Sequence, residues 1–194
     1  YYEGNNFNLI SMQLRDTLYL RSEFNLITKS KTPFEINFYY TRDKQGASHF
    51  GFNKSIIPIG TDSWTVNPKN KKNQKIIYFP GKQKTNLSIL EAISGNQSIS
   101  LSGNYINKDF YALKLDLKNI LLENILPPIP SFKIAGETQI KANIARSSSK
   151  NEFNVKAKIE KMKINDQKLG DFSLSSTGNT KTNSYFTDLY LKKQ

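Results

Sequence analysis

The clearest structural signal in this chain is the run Phe153-Asn154-Val155-Lys156-Ala157-Lys158-Ile159. Apolar and polar residues alternate along it, as in a β-strand that turns one face to an apolar interior and the other to water. The same alternation recurs upstream, at Phe34-Glu35-Ile36-Asn37-Phe38-Tyr39-Tyr40, Ile99-Ser100-Leu101, Leu113-Lys114-Leu115-Asp116-Leu117 and Ile140-Lys141-Ala142-Asn143-Ile144. In the runs 140–144 and 153–159, Lys and Asn fill nearly every polar position. The pattern predicts a half-buried antiparallel sheet with a basic polar face.

Turn signals separate these runs at short intervals and favour an all-β architecture. They are Lys44-Gln45-Gly46, Asn67-Pro68-Lys69-Asn70, Pro80-Gly81-Lys82, Ser94-Gly95-Asn96, Asn107-Lys108-Asp109, Ser147-Ser148-Ser149 and Gly178-Asn179. Apolar residues at helical spacing occur over 119–126 and stop at Pro127-Pro128, which predicts one short helix there. The segment Asn86 to Ile93 is interpreted as a strand.

The chain has 194 residues, of which 37% are apolar, and no Pro/Ser-rich linker divides it. Aromatic residues crowd the first half, and Ile, Leu and Ala dominate the second. We therefore expect residues 1–194 to form one continuous unit, with a weak subdivision near residue 95. The start, Tyr1-Tyr2-Glu3-Gly4, is not a signal peptide and falls in mid-pattern. This is interpreted as a piece of a longer protein whose anchor or export signal lies outside it.

The charge balance is strongly basic. Lys and Arg number 28 against 16 Asp and Glu, a formal net charge of +12. Only four of the basic residues are Arg, whereas nucleic-acid binding predicts arginine-rich stripes among exposed aromatics. Lysines instead protect sheet faces and edges against aggregation, so no nucleic-acid partner is predicted. Attraction to anionic lipid head groups stays open.

The composition also excludes most familiar catalysis. The chain has no Cys, which removes disulfides, thiolate metal sites and thiol nucleophiles, and its one His is too few for a typical zinc hydrolase site. That residue, His49, follows Ser48 in a predicted turn with no acidic residue nearby to orient it. We interpret His49 as an ordinary hydrogen-bonded or solvated side chain. The sequence predicts no enzyme, no catalytic residue, no metal site and no cofactor.

From about residue 48 to 178 the order of motifs resembles the TamB family of AsmA-like proteins, in particular its Bacteroidota members. The motifs that carry the resemblance are His49-Phe50-Gly51-Phe52, Trp64-Thr65-Val66-Asn67-Pro68, Ile76-Ile77, Gln97-Ser98-Ile99-Ser100-Leu101-Ser102-Gly103, Leu113 to Leu117, Ile120 to Leu126 ahead of Pro127, Ile134-Ala135-Gly136-Glu137-Thr138 and Lys163 to Phe172. No single motif is specific; their order and spacing are moderately so. Residues 1–47 match the family only in their alternation.

The resemblance implies a β-taco, which is an antiparallel sheet folded into an open trough that is apolar inside and polar outside. It implies a periplasmic location, with an inner-membrane anchor through a helix outside this fragment. Its implied role is to carry phospholipid between the inner and outer membranes, to support outer-membrane protein assembly, or both. The implied partners are phospholipid acyl chains, an outer-membrane barrel protein of the TamA type, and neighbouring β segments of the same parent chain.

Inward positions of the alternating runs are the candidate lipid-binding residues. Each methylene of a lipid tail that leaves water gains about 0.8 kcal/mol, so a continuous apolar surface would lower the cost of moving a lipid. The candidates are Ile99, Leu101, Leu113, Leu115, Leu117, Ile140, Ala142, Ile144, Val155, Ala157 and Ile159. Taken singly, an alternating aliphatic residue is more often part of an ordinary core than a lipid contact.

The second hypothesis is a surface β-sandwich that acts as an adhesin or carbohydrate-binding module. Its basis is a set of aromatic residues expected to be exposed, on which sugar rings could stack: Tyr39, Tyr40, Trp64, Tyr78 and Tyr105.

Overall fold

The chain folds into one long antiparallel sheet with a single short helix in the part that the structure describes. This structure is a computed structural model and describes residues 7–25, 32–126, 129, 131–147, 150–165, 167–179 and 184–193. The strands are β1 Phe7–Leu14, β2 Thr17–Phe24, β3 Phe34–Arg42, β4 Ser48–Phe52, β5 Ser55–Ile59, β6 Asp62–Val66, β7 Lys75–Phe79, β8 Lys84–Ser94, β9 Gln97–Asn107, β10 Phe110–Leu121, β11 Ile134–Ser147, β12 Lys150–Ile164, β13 Gln167–Asn179 and β14 Ser184–Lys192, and the helix is α1 Leu122–Ile125. The predicted all-β, antiparallel and open architecture is confirmed.

The sheet is an up-and-down meander in which most strands pair with their neighbours along the chain. Strands β4 and β5 follow one another along β3 as one interrupted strand. Strands β6 and β7 likewise form one interrupted strand along β8, in which β6 pairs with β5 and β7 pairs with β4. The main path therefore has twelve strands, from β1 to β14, and these two edge strands do not pair with each other. The sheet is open.

The register keeps the apolar positions of successive strands on the same face. In an antiparallel pair, residues that stand opposite each other point to the same side of the sheet. Five long strands contain an extra residue that shifts the register, within 87–90 of β8, 105–107 of β9, 117–120 of β10, 159–162 of β12 and 168–170 of β13. Each bulge adds one residue on one strand and so restores the same face beyond it.

The helix is shorter than predicted. The sequence pattern indicated 119–126, whereas α1 covers only Leu122–Ile125. The reason is that β10 continues past the bulge at Asn119, whose φ is 54°, and pairs Ile120 with Thr138 and Leu121 with Glu137. Residues 119–121 therefore belong to a strand, because pairing with β11 is favoured over the short local helix that their spacing allows.

Most other local predictions are confirmed. The segment Asn86 to Ile93 lies within β8, and the signals at 44–46, 67–70, 80–82, 94–96 and 107–109 fall at turns or strand ends. The signal at Gly178-Asn179 also falls at a strand end, since both residues end β13 and pair with β14. The turn predicted at Ser147-Ser148-Ser149 lies largely outside the described residues. Sheet pairing between β8 and β9 runs on both sides of residue 95.

Few apolar side chains are buried. Among the described residues, the buried ones are Ala47, Pro58, Trp64 and Ile120. Trp64 and Ile120 lie near α1, where the turn between β5 and β6 meets the helix. The largest buried side chains therefore form a small cluster at one margin of the sheet, and we call this margin, formed by the β5–β6 turn and α1, the α1 rim.

The sheet curls at the α1 rim. The strands β6, β8, β9 and β10 are successive neighbours, so a flat sheet would hold β6 about 14 Å from β10. The helix starts directly after β10 and advances only about 4.5 Å from Leu121 to Asn124. Yet a Cβ on Gly60 would lie 1.6 Å from the carbonyl oxygen of Asn124. The strands must bend toward each other for this contact to form.

Candidate functional site

The eleven candidate residues all lie on one face of the sheet, and we call this set the floor. One row joins Leu101, Leu115, Ala142 and Val155, which stand opposite one another in β9 to β12. A second row contains Ile99, Leu117, Ile140 and Ala157, and a third contains Leu113 and Ile144. Ile159 stands opposite Thr138, which is two residues before Ile140 and so faces the same side. Residues separated by up to 60 positions in sequence thus form one continuous apolar surface.

The floor is not a core in the described structure. None of its eleven residues is buried: nine are half-buried, while Leu113 is 38% and Ile144 40% exposed. No second sheet packs on it, because all fourteen strands belong to the same sheet. The floor is therefore available for contact with an apolar molecule.

Two further strands extend this apolar face. Phe172 and Leu174 of β13 stand opposite Ile159 and Ala157, and Leu191 and Leu189 of β14 stand opposite them in turn. The sequence reasoning missed these residues. The alternating Phe172-Ser173-Leu174 and Leu189-Tyr190-Leu191 carry the signal that would have found them.

Toward the other edge, the same face continues through strands rich in aromatic residues. Leu87 of β8 stands opposite Gly103 and Ile76, Ile76 stands opposite Phe50, and Phe50 stands opposite Tyr40. The rings of Tyr40 and Phe50 are 5.0 Å apart. The apolar face thus extends from β3 to β14, and its floor section is the aliphatic part.

Polar side chains hold the α1 rim together. The carboxylate of Asp62 accepts hydrogen bonds from Gln97 Nε2 at 2.6 Å and from Asn124 Nδ2 at 3.0 and 3.1 Å. Gln97 Oε1 in turn accepts a hydrogen bond from the backbone N–H of Leu121 at 2.9 Å. Glu123 Oε2 accepts one from the N–H of Gly136 at 3.1 Å. These bonds join β6, β9, α1 and β11.

Trp64 lies inside this closed cluster with only 1% of its surface exposed. The sequence-based expectation of an exposed Trp64 is therefore wrong. The turn at Gly60 and helix α1 come together at this margin, and this contact joins segments that are distant in the chain. Tyr39 and Tyr40 are only half-buried, and Tyr78 and Tyr105 are 40% and 49% exposed. Of the five aromatics, these last two are the accessible ones.

The opposite face is polar over β9 to β13. Asp116, Lys141 and Lys156 form one row on it, and Lys114, Asn143 and Asn154 form another. A groove of about 480 Å³ opens on this face, lined mainly by Ala112, Lys114, Ala145, Asn154 and Phe186. Its lining also includes Leu113 and Ile144 of the floor. The pairing of the strands thus places these polar and basic residues together on one face, as predicted.

His49 has an acidic partner that the sequence reasoning missed. It lies in β4, and its Nε2 is 2.9 Å from Oδ2 of Asp43, six residues earlier. This hydrogen bond is the largest of the effects that lower the pKa of Asp43, and the backbone N–H groups of Ala47 and Gln45 add to it. Ser48 is the next residue on the strand, so it points to the other face and lies 3.3 Å from the hydroxyl of Tyr40. His49 and Ser48 cannot act on one atom together.

The two edge strands expose apolar side chains on both faces. In β1 these are Phe7, Leu9, Ile10, Met12 and Leu14, and in β14 they are Tyr185, Phe186, Leu189, Tyr190 and Leu191. Each of the ten is between 50% and 70% exposed. Long apolar edge strands are rare in isolated domains because they attract further strands.

Comparisons with known protein families, with curated proteins and with solved structures found no match. In the part of the chain that the structure covers, no helix is both long and apolar enough to cross a membrane. Nor do three His, Asp or Glu side chains come together there in a group that could hold a metal ion.

Proposed function

We propose that this chain is a lipid-carrying segment of a TamB-like, AsmA-like periplasmic bridge. It moves phospholipid between the inner and outer membranes, supports outer-membrane protein assembly, or both. The observation that carries the proposal is the floor: eleven apolar residues of four strands share one face, and none of them is buried. A face of this kind has a large apolar area that the chain itself leaves in contact with water.

The chemistry of the floor suits transfer. A lipid tail gains about 0.8 kcal/mol for each methylene that leaves water, and an open floor provides part of this gain because it covers the tail from one side. The floor is built of Ile, Leu, Val and Ala, which offer similar contacts along its length. A tail can then move from row to row without leaving a deep energy well. Ala142 and Ala157 leave the most space above the sheet.

The exposed edge strands favour a partner that is itself a β segment with one apolar face. Twelve strands lie on the path from β1 to β14, so β1 and β14 run in opposite directions. A similar segment placed beside β14 in the same orientation would therefore pair with it in antiparallel fashion and continue the apolar face. The exposed side chains of both edges, Ile10 and Phe186 among them, would be covered. Neighbouring β segments of the parent chain fit this requirement.

The location and the outer-membrane partner follow from the family resemblance. A TamB-like segment acts in the periplasm, tethered to the inner membrane by a helix outside residues 1–194, and works with an outer-membrane barrel protein of the TamA type. The basic polar face, with Lys141 and Lys156 in one row, keeps such a segment soluble in the aqueous space that it spans.

The direct test is mass spectrometry of the purified chain for bound phospholipid. Ile140→Asp and Leu115→Asp each place a charge on the floor, and we expect bound lipid to fall about tenfold or more because a carboxylate cannot lie against an acyl chain without a partner. Asn143→Asp is the matched control, since it places the same charge on the polar face of β11. Circular dichroism should show all three folded. A wild-type protein free of lipid, or unfolding of the floor variants alone, would refute the proposal.

One observation favours the carbohydrate-binding alternative: Tyr78 and Tyr105 are exposed on the apolar face. Tyr39 is less suited, because its hydroxyl donates to the carbonyl of Lys72 at 3.1 Å and burial raises its pKa. A glycan array in which specific binding disappears with Tyr105→Ala would support the alternative. Trp64→Ala would not test this alternative, because Trp64 is buried.

A further inference from the structure

A row of tyrosines and arginines lies where the apolar face ends, at the margin opposite the α1 rim. Successive pairings join its members across β3, β4, β7, β8, β9, β10, β11 and β12: Arg42, Ser48, Tyr78, Thr85, Tyr105, Tyr111, Arg146 and Asn151. We call these eight residues the tyrosine row. They point to the same side as the floor, because Tyr105, Tyr111 and Arg146 are two residues from Gly103, Leu113 and Ile144.

The row marks a sharp change from apolar to polar chemistry. Immediately inside it, the next row contains Phe50, Ile76, Leu87, Leu113 and Ile144, all apolar. Every member of the tyrosine row, in contrast, has a side chain that can form hydrogen bonds. Tyrosine combines an apolar ring with a polar hydroxyl and therefore suits a boundary between an acyl layer and water.

The turns just outside the row are basic. They and the strand ends next to them carry Arg15, Lys44, Lys82, Lys84 and Lys108, against Asp16, Asp43 and Asp109. The arginines of the row, Arg42 and Arg146, add to this excess. Positive charge at this margin would attract an anionic group, and an arginine fork matches the oxygens of a phosphate.

These features point to a head-group site, and from them we infer that the tyrosine row holds the phosphate of the lipid whose tails lie on the floor. The inference rests on the proposed function and names the carried class: phospholipids with net negative head groups. The tails lie on the rows of Leu113 and Leu115, the tyrosine hydroxyls donate to the phosphate oxygens, and the arginines pair with its charge.

An ion pair holds one arginine of the row. Arg146 Nη2 lies 3.5 Å from Oδ1 of Asp109, and both side chains are partly exposed. Arg42 Nε donates to the carbonyl of Gly46 at 3.2 Å, which leaves its other guanidinium donors at the margin. Asp109 therefore competes with a phosphate for Arg146. Removal of this carboxylate should strengthen lipid binding, whereas removal of the arginine should weaken it.

The test compares two lipids with identical acyl chains, phosphatidylglycerol and diacylglycerol, in transfer from vesicles to the full chain. We expect the chain to load phosphatidylglycerol preferentially. Arg146→Gln should reduce this preference about fivefold, and Tyr105→Phe, which removes only a hydroxyl, should reduce it less. Asp109→Asn should increase it. Lys133→Gln and Lys168→Gln, which remove positive charge at the opposite margin, are controls expected to leave the preference unchanged.

The outcomes separate this inference from the proposed function. Equal loading of both lipids, or a preference unaffected by Arg146→Gln, would overturn the head-group site while leaving the lipid-carrying floor intact. No loading of either lipid would overturn both. Glycerol phosphate is the probe for a site that recognises phosphate alone. If it bound as tightly as the intact lipid, the row would be a free-phosphate site and the inference would fail.

Discussion

The α1 rim and the floor belong to one sheet and share one alternating pattern, yet they have opposite exposures. Trp64 and Ile120 at the rim are 1% exposed, whereas Leu113 and Ile144 on the floor are 38% and 40% exposed. The difference arises because α1 and the β5–β6 turn close together at the rim, while no described element covers the floor. Alternation thus decides which face a side chain occupies, and a covering element decides whether that face becomes a core.

The largest expected difference between the two regions is in stability. Trp64→Ala should lower the free energy of unfolding by about 3–5 kcal/mol, because it empties the closed cluster. Trp64→Phe should cost less, since Trp64 Nε1 has no hydrogen-bond partner among the described atoms. Leu115→Ala on the floor should cost about 1 kcal/mol or less, because the side chain is already in contact with water. Urea denaturation of the three variants checks this, and equal costs for Trp64→Ala and Leu115→Ala would mean that the floor is covered.

A smaller effect should follow from Gly60→Ala. Gly60 and Gly95 both have positive φ, 62° and 56°, so an alanine at either position costs about 1 kcal/mol in backbone strain. Only at Gly60 would the new Cβ meet the carbonyl oxygen of Asn124, whereas Gly95 has open space around it. We expect Gly60→Ala to cost about 2 kcal/mol more than Gly95→Ala. Equal melting behaviour would contradict the contact between the β5–β6 turn and α1.

Asp62→Ala comes next. It removes the acceptor for Gln97 and Asn124 and should destabilise the fold by about 2 kcal/mol, because the donors are left in a part-buried site. Asp188→Ala on the exposed edge strand β14 is the control, with an expected change within about 0.5 kcal/mol. Chemical denaturation of both variants measures the difference. If the two variants were equally stable, the hydrogen bonds of Asp62 at the α1 rim would not contribute to folding.

The smallest effect concerns pH, at a site away from both regions. His49 lowers the pKa of Asp43, so this carboxylate stabilises the folded state above its ordinary pKa near 4 and loses that contribution as the pH falls through the lower folded value. In His49→Ala the pKa of Asp43 should rise toward its ordinary value, and the loss of stability on acidification should shrink. Carboxyl titration by NMR checks the first point. An unchanged Asp43 titration would show that the hydrogen bond is not formed in solution.

Sequence reasoning located the strands and the floor because both depend on local alternation. The residues Leu113 to Leu117 and Phe153 to Ile159 could be assigned to one face without knowledge of their partners. It missed the burial of Trp64, the partner of His49 and the true length of α1. Each of these depends on contacts that local periodicity does not encode, such as the pairing of Ile120 with Thr138.

By itself, the sequence determined that this chain is an antiparallel all-β protein with one apolar and one basic face, because strand periodicity relates each residue to those two positions away. Only the tertiary structure decided where that apolar face is closed and where it stays open. Closure depends on contacts such as that between Asp62 and Asn124, 62 residues apart. Register and curl bring these residues together, and neither property can be read from a strand considered alone.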